Sequence, residues 1–433
     1  MNECFSRPRR AFLRAAGALA AAGMAGPLAA AARRDVVVLT AYPDAVVSRF
    51  EAAFEKAWPQ YRLRIVWRMP HDALPYLRQP AQNGVDVYWS ASPRTYAQLK
   101  ADHALRRLPA DSAGLPGRIG NSVIDDPDGY YVASEVAGYG FALNPAYLVQ
   151  HGLAVPADWS DLAQPAYAGH LLVPDPVEVG FAPVLVDIPL QAYGWDNGWA
   201  LWSAIAANAR FVGRGGSFVT DELGTGRQGI GLSIDFFVAS AIANGAPLRF
   251  VYPRQGGVNP AHVAVTADSP NPAGAKAFVD FVLSEAGQRI LAHPDIRKLP
   301  VRPSVYAGLP EGYHNPFEAA RQGGYLYDNA RGRGRAAPVA AAFGQVFVRH
   351  QPRLADLWRR LRQADGATWA KAWPLLTTPP CKESEVEDPA VQQAFFTRRD
   401  DPAAEARAAA LEAAWGTAAE ARYAQAAALL GTA

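Results

Sequence analysis

Apolar positions along this chain fall into two alternating rhythms. Residues 36–40 are continuously apolar up to Thr40, the mark of a strand covered on both faces. A helix then begins near Asp44 and places Val46, Phe50, Phe54 and Trp58 on one side. Tyr61, Leu63, Ile65 and Trp67 alternate with polar residues as a second strand. A short helix over 71–78, a strand over 85–89, and a helix capped by Ser92 and started by Pro93 complete the opening segment. This order predicts a sheet covered by helices. Strands over 130–135 and 139–143 lead into a second segment. It has strands over 170–173 and 211–213, helical stretches between 181 and 208, and a helix over 218–223. Further strands fall at 248–252 and 262–266, and Asn271-Pro272 opens a helix with Phe278, Phe281 and Val282 inward.

The stretch Gly229-Ile230-Gly231-Leu232-Ser233-Ile234-Asp235-Phe236-Phe237 organises the second segment. Its residues through Ile234 read as a short buried strand, and 236–244 as a helix stopped by Gly245. Asp235 therefore sits at a strand's carboxyl end beside a helix start, where open α/β sheets bind ligands. Two readings stand, a helix cap or a ligand contact. The exits at Thr40–Tyr42 and Trp89–Ser90 bring hydroxyls, free helix amides and aromatics to the same rim, with core packing the competing role for Tyr42 and Trp89. Nearby, Gly224-Thr225-Gly226-Arg227-Gln228-Gly229 satisfies G-x-G-x-x-G literally. A dinucleotide site needs a strand before those glycines and a helix after, and the order here is reversed. They read as a tight turn.

Past about Tyr306 the character changes, and residues 331–433 are Ala- and Arg-rich, with helices expected at 338–363, kinked at Pro352, and at 402–430. The first presents Phe343, Phe347, Leu354, Leu357, Trp358 and Leu361, an apolar face that something must cover. Packing against the second lobe and docking of a membrane partner are both open.

Length 433 allows two or three domains, and 50% hydrophobic with 19% charged residues suits a sizeable core. Net charge is +2. Arg7, Arg9, Arg10 and Arg14 against Glu3 give residues 1–32 a net +3, leaving −1 for the rest, so neither nucleic acid nor an anionic membrane is expected as partner. Arg9-Arg10-Ala11-Phe12-Leu13-Arg14, an apolar stretch over 15–28 and Ala30-Ala31-Ala32 predict a twin-arginine export signal over 1–32. Cys4 would leave with it, and Cys381 would stand alone. The expected product is periplasmic and monomeric, without stable membrane insertion. The eight histidines show no metal-ligand spacing, and neither a G-x-S-x-G elbow nor an H-E-x-x-H motif occurs.

Asp158-Trp159-Ser160-Asp161-Leu162, Pro165-Ala166-Tyr167-Ala168-Gly169 and Val173-Pro174-Asp175-Pro176 resemble a block of bacterial extracellular solute-binding proteins. So does the Asn271-Pro272 helix through Ser284. The matching group is the type 2 periplasmic binding proteins, related to ferric-ion, thiamine and polyamine binders of ABC importers. The likeness covers about residues 35–306. It implies an α/β fold of two lobes, with 35–136 plus 258–306 as lobe 1, 137–257 as lobe 2, and 307–433 as a mainly helical C-terminal extension. The chain would cross between lobes near 137–141 and return near 251–260. In ferric-ion binders adjacent tyrosines ligate iron where this chain has Phe236-Phe237, which offer no oxygen. Within the family, the VVVLTAYP opening, residues 85–89 and the Ile-Asp-Phe-Phe turn look most like the phosphoglycerate-transport branch.

The resemblance therefore implies a non-catalytic receptor without cofactor or metal. It would take a small anionic, phosphorylated organic ligand and present it to an ABC permease or membrane sensor. Its ligand-binding residues would be Thr40, Tyr42, Trp89, Ser90, Gly180, Phe181, Ser217, Asp235 and Arg254. Helix amides after Ser92, and near Gly180 and 215–217, suit an anion, as does Arg254 in the return crossover. Arg254 reads equally as a solvated loop arginine, and Arg68 has a weaker claim. The competing readings are a secreted hydrolase of phosphorylated metabolites and a ferric-ion binder with non-standard ligands.

Overall fold

Residues 33–108, 114–213 and 218–431 are described by a computed structural model. The expected export signal over 1–32, and Ser217 with Gly215 and Gly216, lie outside the described residues.

The first lobe opens with β1 (Arg34–Thr40), α1 (Asp44–Ala57), β2 (Tyr61–Trp67), α2 (Pro70–Leu77), β3 (Val87–Ser90) and α3 (Pro93–Ala101). β1 lies parallel between β2 and β3. Val46, Val47, Phe50 and Phe54 of α1 are buried, and each such side chain contributes roughly 1.5–3 kcal/mol. Ser92 does not cap α3 as expected: its hydroxyl meets that of Thr95 at 2.7 Å. The hairpin β4 (Arg118–Ile119) and β5 (Ser122–Val123) precedes β6 (Val132–Leu143).

β6 corrects the sequence reading, which divided it into strands over 130–135 and 139–143. It is one buried strand that serves both lobes. Up to Gly138 it pairs antiparallel with β11 (Val258–Val265) of the first lobe. From Tyr139 it pairs with β9 (Ile230–Ile234) and β10 (Arg249–Val251) of the second. The second lobe also holds α4 (Pro145–Gln150), β7 (Leu171–Pro174), α5 (Ala182–Tyr193), α6 (Trp195–Asn208), β8 (Ala209–Val212), α7 (Phe218–Gly224) and α8 (Asp235–Ala243). β7 lies parallel between β8 and β9. The glycine-rich turn falls between α7 and β9, with Gly226 in the left-handed region at φ 72°, as a helix-to-strand turn requires. After β11, α9 (Pro272–Leu283), capped by the Asn271 side chain, and α10 (Glu285–Leu291) close the first lobe.

α11 (Pro316–Arg321) leads into the extension: α12 (Asn329–Phe343), α13 (Gln351–Leu361), α14 (Gly366–Thr377), α15 (Glu383–Val386), α16 (Pro389–Thr397) and α17 (Pro402–Leu430). The helix expected over 338–363 is broken by a π-helical turn at Gly344–Val348, ahead of Pro352. Pro352 thus starts a helix instead of kinking one. The apolar face of α12 and α13 is covered by α6 and α17, in one core with the second lobe. Trp202 meets Phe343 edge-on at 5.1 Å. Among the described residues no helix is long and apolar enough to cross a membrane.

Candidate functional site

A cavity of about 550 Å³ lies between the lobes. The turn 41–43, Ser90, and Ile296 with Lys298 form the first-lobe wall, and β6 contributes Glu135 and Ala137. The opposite wall is one flank of α8, carrying Phe236, Phe237 and Ser240, with Asn244 at its C-terminal cap. Helical spacing puts these on one face.

The cleft's buried charge is the pair Lys298–Glu135, while Asp295, exposed and paired with Arg49, lies at its edge. Lys298 Nζ lies 2.6 Å from Glu135 Oε1, and the Tyr42 hydroxyl donates to the same oxygen at 2.7 Å. The ammonium also lies 5.1 Å from the Tyr42 ring centroid and 5.4 Å from that of Phe236, within cation–π reach. Glu135 Oε2 is buried without a hydrogen-bond partner. An ammonium has three donors and a carboxylate about four acceptor positions, so the pair can serve a ligand as donor and acceptor together. Burying two charges costs several kcal/mol per ion, only partly repaid by their attraction, so the pair is poor evidence of stability and fits a binding role better. Just before Lys298, Arg297 is held in the left-handed region at φ 52°, which is costly for a side chain of its size and re-aims the chain at the cleft.

The expected site residues divide. Tyr42 and Ser90 line the cleft. Thr40 is fully buried, and its hydroxyl accepts from the Tyr42 amide at 3.1 Å, so it shapes the turn without facing the cavity. Trp89 takes the core role: its ring lies 4.8 Å from Phe50 and its Nε1 donates to the Ser134 hydroxyl at 3.1 Å. Gly180 is exposed, and Phe181 packs behind Phe237 at 5.6 Å. Arg254 is an exposed loop residue outside the cleft lining. Arg68 is exposed and lies over the Tyr76 ring at 4.9 Å.

Asp235 lies off the interlobe cleft. It does not cap α8, and it faces away from the cleft lining. Its Oδ2 accepts from the Gly138 amide at 2.7 Å and from the Tyr252 hydroxyl at 2.9 Å, tying both interlobe crossings to the start of α8. Burial raises its carboxyl to about 7, against the Gly138 and Tyr252 hydrogen bonds and the Lys298 charge, which pull it down. Burial and the Glu135 charge hold the Tyr42 hydroxyl well above its ordinary range, so it stays a neutral donor.

Glu135 and Lys298 were missed in the sequence. Glu135 is the one charged residue in the run Val132–Leu143, which was a usable signal. Nothing local marks Lys298. Among the described residues no group of three or more His, Cys, Asp or Glu is gathered to hold a metal ion.

The family described as bacterial extracellular solute-binding protein matches residues 96–317, just over half of the chain. The phosphoglycerate transport regulatory protein PgtC of Salmonella typhimurium is 32% identical over 219 residues, 51% of this chain and 54% of that protein. An uncharacterized protein of Haemophilus influenzae is 30% identical over 165 residues, 37% of this chain and 48% of its own. The match thus spans about half the length of these curated relatives. Among solved structures, AfuA from Actinobacillus pleuropneumoniae with fructose-6-phosphate bound aligns with a TM-score of 0.51 at 17% identity, over 73% of this chain and 99% of that one. Iron-bound HitA from Pseudomonas aeruginosa aligns with a TM-score of 0.53 at 16% identity, over 71% and 99%. IdiA (FutA) of Trichodesmium, with iron and citrate, gives 0.52 at 14% identity, over 72% and 98%. At these identities the structural likeness speaks for the fold.

Proposed function

The chain belongs to the bacterial extracellular solute-binding proteins, and from that premise we propose that it captures a small organic anion bearing a hydroxyl, of the phosphorylated hydroxy-acid or sugar class. The family's two-lobed type 2 periplasmic fold, periplasmic location and binding, non-catalytic character apply to this chain. An ABC importer or a membrane sensor is the proposed recipient of the loaded form.

The observation that carries the ligand class is the Lys298–Glu135 pair in the cleft. Lys298 offers donors to an anionic oxygen, and the unpartnered Oε2 of Glu135 offers an acceptor to a neighbouring hydroxyl. A molecule with both groups satisfies the pair, whereas a bare anion would meet the Glu135 charge. The Tyr42, Phe236 and Phe237 rings suit the carbon skeleton. PgtC, named for phosphoglycerate transport, and AfuA, solved with fructose-6-phosphate bound, lend support.

A second reading rests on Tyr42 and Glu135 standing as adjacent oxygen donors, 2.7 Å apart, in a fold shared with iron binders. Two such residues are few for a hard cation, so iron would have to arrive already chelated, for example by citrate.

Isothermal titration with 3-phosphoglycerate, fructose-6-phosphate and ferric citrate separates the readings. Binding of a phosphorylated compound, weakened at least about tenfold in Lys298→Met, is expected for loss of one charge-assisted contact. Binding of ferric citrate alone, lost in Tyr42→Phe, would replace the first reading with the second.

A further inference from the structure

The flank of α8 opposite the cleft faces a separate cavity of about 320 Å³, at the small end for ligand sites. Asp235 lies at its base, 3% exposed. While Oδ2 takes the Gly138 and Tyr252 donors, Oδ1 is buried without a partner. The surrounding polar groups are otherwise engaged. The Tyr252 ring stacks on His314 at 3.8 Å with planes 6° apart, and His314 Nε2 meets the Tyr325 hydroxyl at 2.6 Å. The Tyr313 hydroxyl donates to the Lys298 carbonyl at 2.8 Å. Arg249 and Arg297, both exposed, complete the lining.

This combination selects by charge. A plain cation would suit the Asp235 oxygen but meet two guanidinium groups on the way in. A plain anion would suit the arginines but find no cation at the base, where the Asp235 carboxyl is ionised above about pH 7. A molecule with an ammonium and a carboxylate a few bonds apart satisfies both ends. We propose that this cavity is a second binding site, for a small α-amino acid, whose ammonium donates to Asp235 Oδ1 and whose carboxylate pairs with Arg297 and Arg249 at the mouth. The aromatic walls receive the side chain. Because Oδ2 of the same carboxylate holds Gly138 on the outward crossing and Tyr252 on the return, the site lies where the lobes hinge.

The test is isothermal titration of the mature protein with each of the common amino acids. The tightest binder is then compared with its deaminated acid and its decarboxylated amine. At least one amino acid should bind, and each truncated analogue should bind about tenfold more weakly or worse, as expected for loss of one charge-assisted contact. Asp235→Asn and the exposed-site variant Arg297→Ala should each cost a similar factor. Ser240→Trp, which blocks the interlobe cleft from the other flank of α8, should leave the affinity unchanged. Ala239→Leu, filling the second cavity, should abolish binding without changing the response to 3-phosphoglycerate. Failure of every amino acid to bind would overturn the proposal. So would equal affinity for the deaminated acid, or binding that vanishes in Ser240→Trp and survives in Arg297→Ala.

Discussion

Two acidic side chains near the hinge are buried for different ends, and each makes a separable prediction. Glu135 is held by Lys298 at 2.6 Å. In Lys298→Met the carboxylate stays buried without its cation, which typically costs about 3–5 kcal/mol. Urea denaturation should show most of that loss recovered in Lys298→Met/Glu135→Gln, while ligand binding stays lost; a single variant as stable as wild type would place the ammonium outside the pair. Asp235 makes stability depend on pH. Its carboxyl titrates near 7 in the folded chain, because burial outweighs the Gly138 and Tyr252 hydrogen bonds and the Lys298 charge, with Glu135 adding to the rise. The unfolded carboxyl titrates near 4. Between those values the folded chain holds a proton that the unfolded chain has lost, so this group's contribution to stability falls as pH rises. By linkage the loss is roughly 4 kcal/mol by the time both states are ionised. Asp235→Asn should therefore gain stability relative to wild type at pH 8 over pH 5. An unchanged difference between the two pH values would refute the assignment.

At the scale of elements, what the sequence revealed depended on how local the cause was. β1, α1, β9 and α17 were legible because a continuous apolar run, a one-sided helical face or a proline start is written within the element itself. β6 was misread as two strands, broken across 136–138, although Gly138 and Gly140 both lie within it. Their reason lies across the sheet: a Cβ on Gly140 would come within 2.4 Å of the Val251 carbonyl oxygen, and one on Gly138 within 2.6 Å of the Tyr252 ring. The glycines thus let the return crossing press flat against the outward one. Gly140→Ala, whose nearest clash is with backbone that cannot swing aside, should lower stability by about 1–3 kcal/mol, read as an earlier urea midpoint. A neutral result would mean that the two crossings can separate without cost. The site was half legible for the same reason. Tyr42 and Ser90 follow from strand exits, while Lys298 reaches the cleft only because α10 and a left-handed Arg297 deliver it there.

At the scale of the molecule, the C-terminal helices are part of the second lobe's core, which bears on how their role can be tested. Trp199 and Trp202 of α6 are almost fully buried, with Phe343 and Phe347 among the aromatic rings packed on them. Arg335 of α12 is wholly buried, paired with Asp187 of α5 at 2.7 Å and with Glu383 and Glu387 of the extension at 2.6 and 3.2 Å. The extension also reaches the first lobe, where Asn329 exchanges hydrogen bonds with the Val123 backbone and Arg94 lies 5.5 Å from the Phe396 ring. Removing residues 331–433 would uncover two indoles and leave Asp187 buried without its cation, two of the largest destabilising changes a domain can suffer. The truncated chain should accumulate as insoluble material, checked by solubility and circular dichroism after expression. Loss of signalling in such a chain would then say nothing about docking. A soluble truncated product that still binds ligand would show that the second lobe stands without the extension, and would free those helices for a partner.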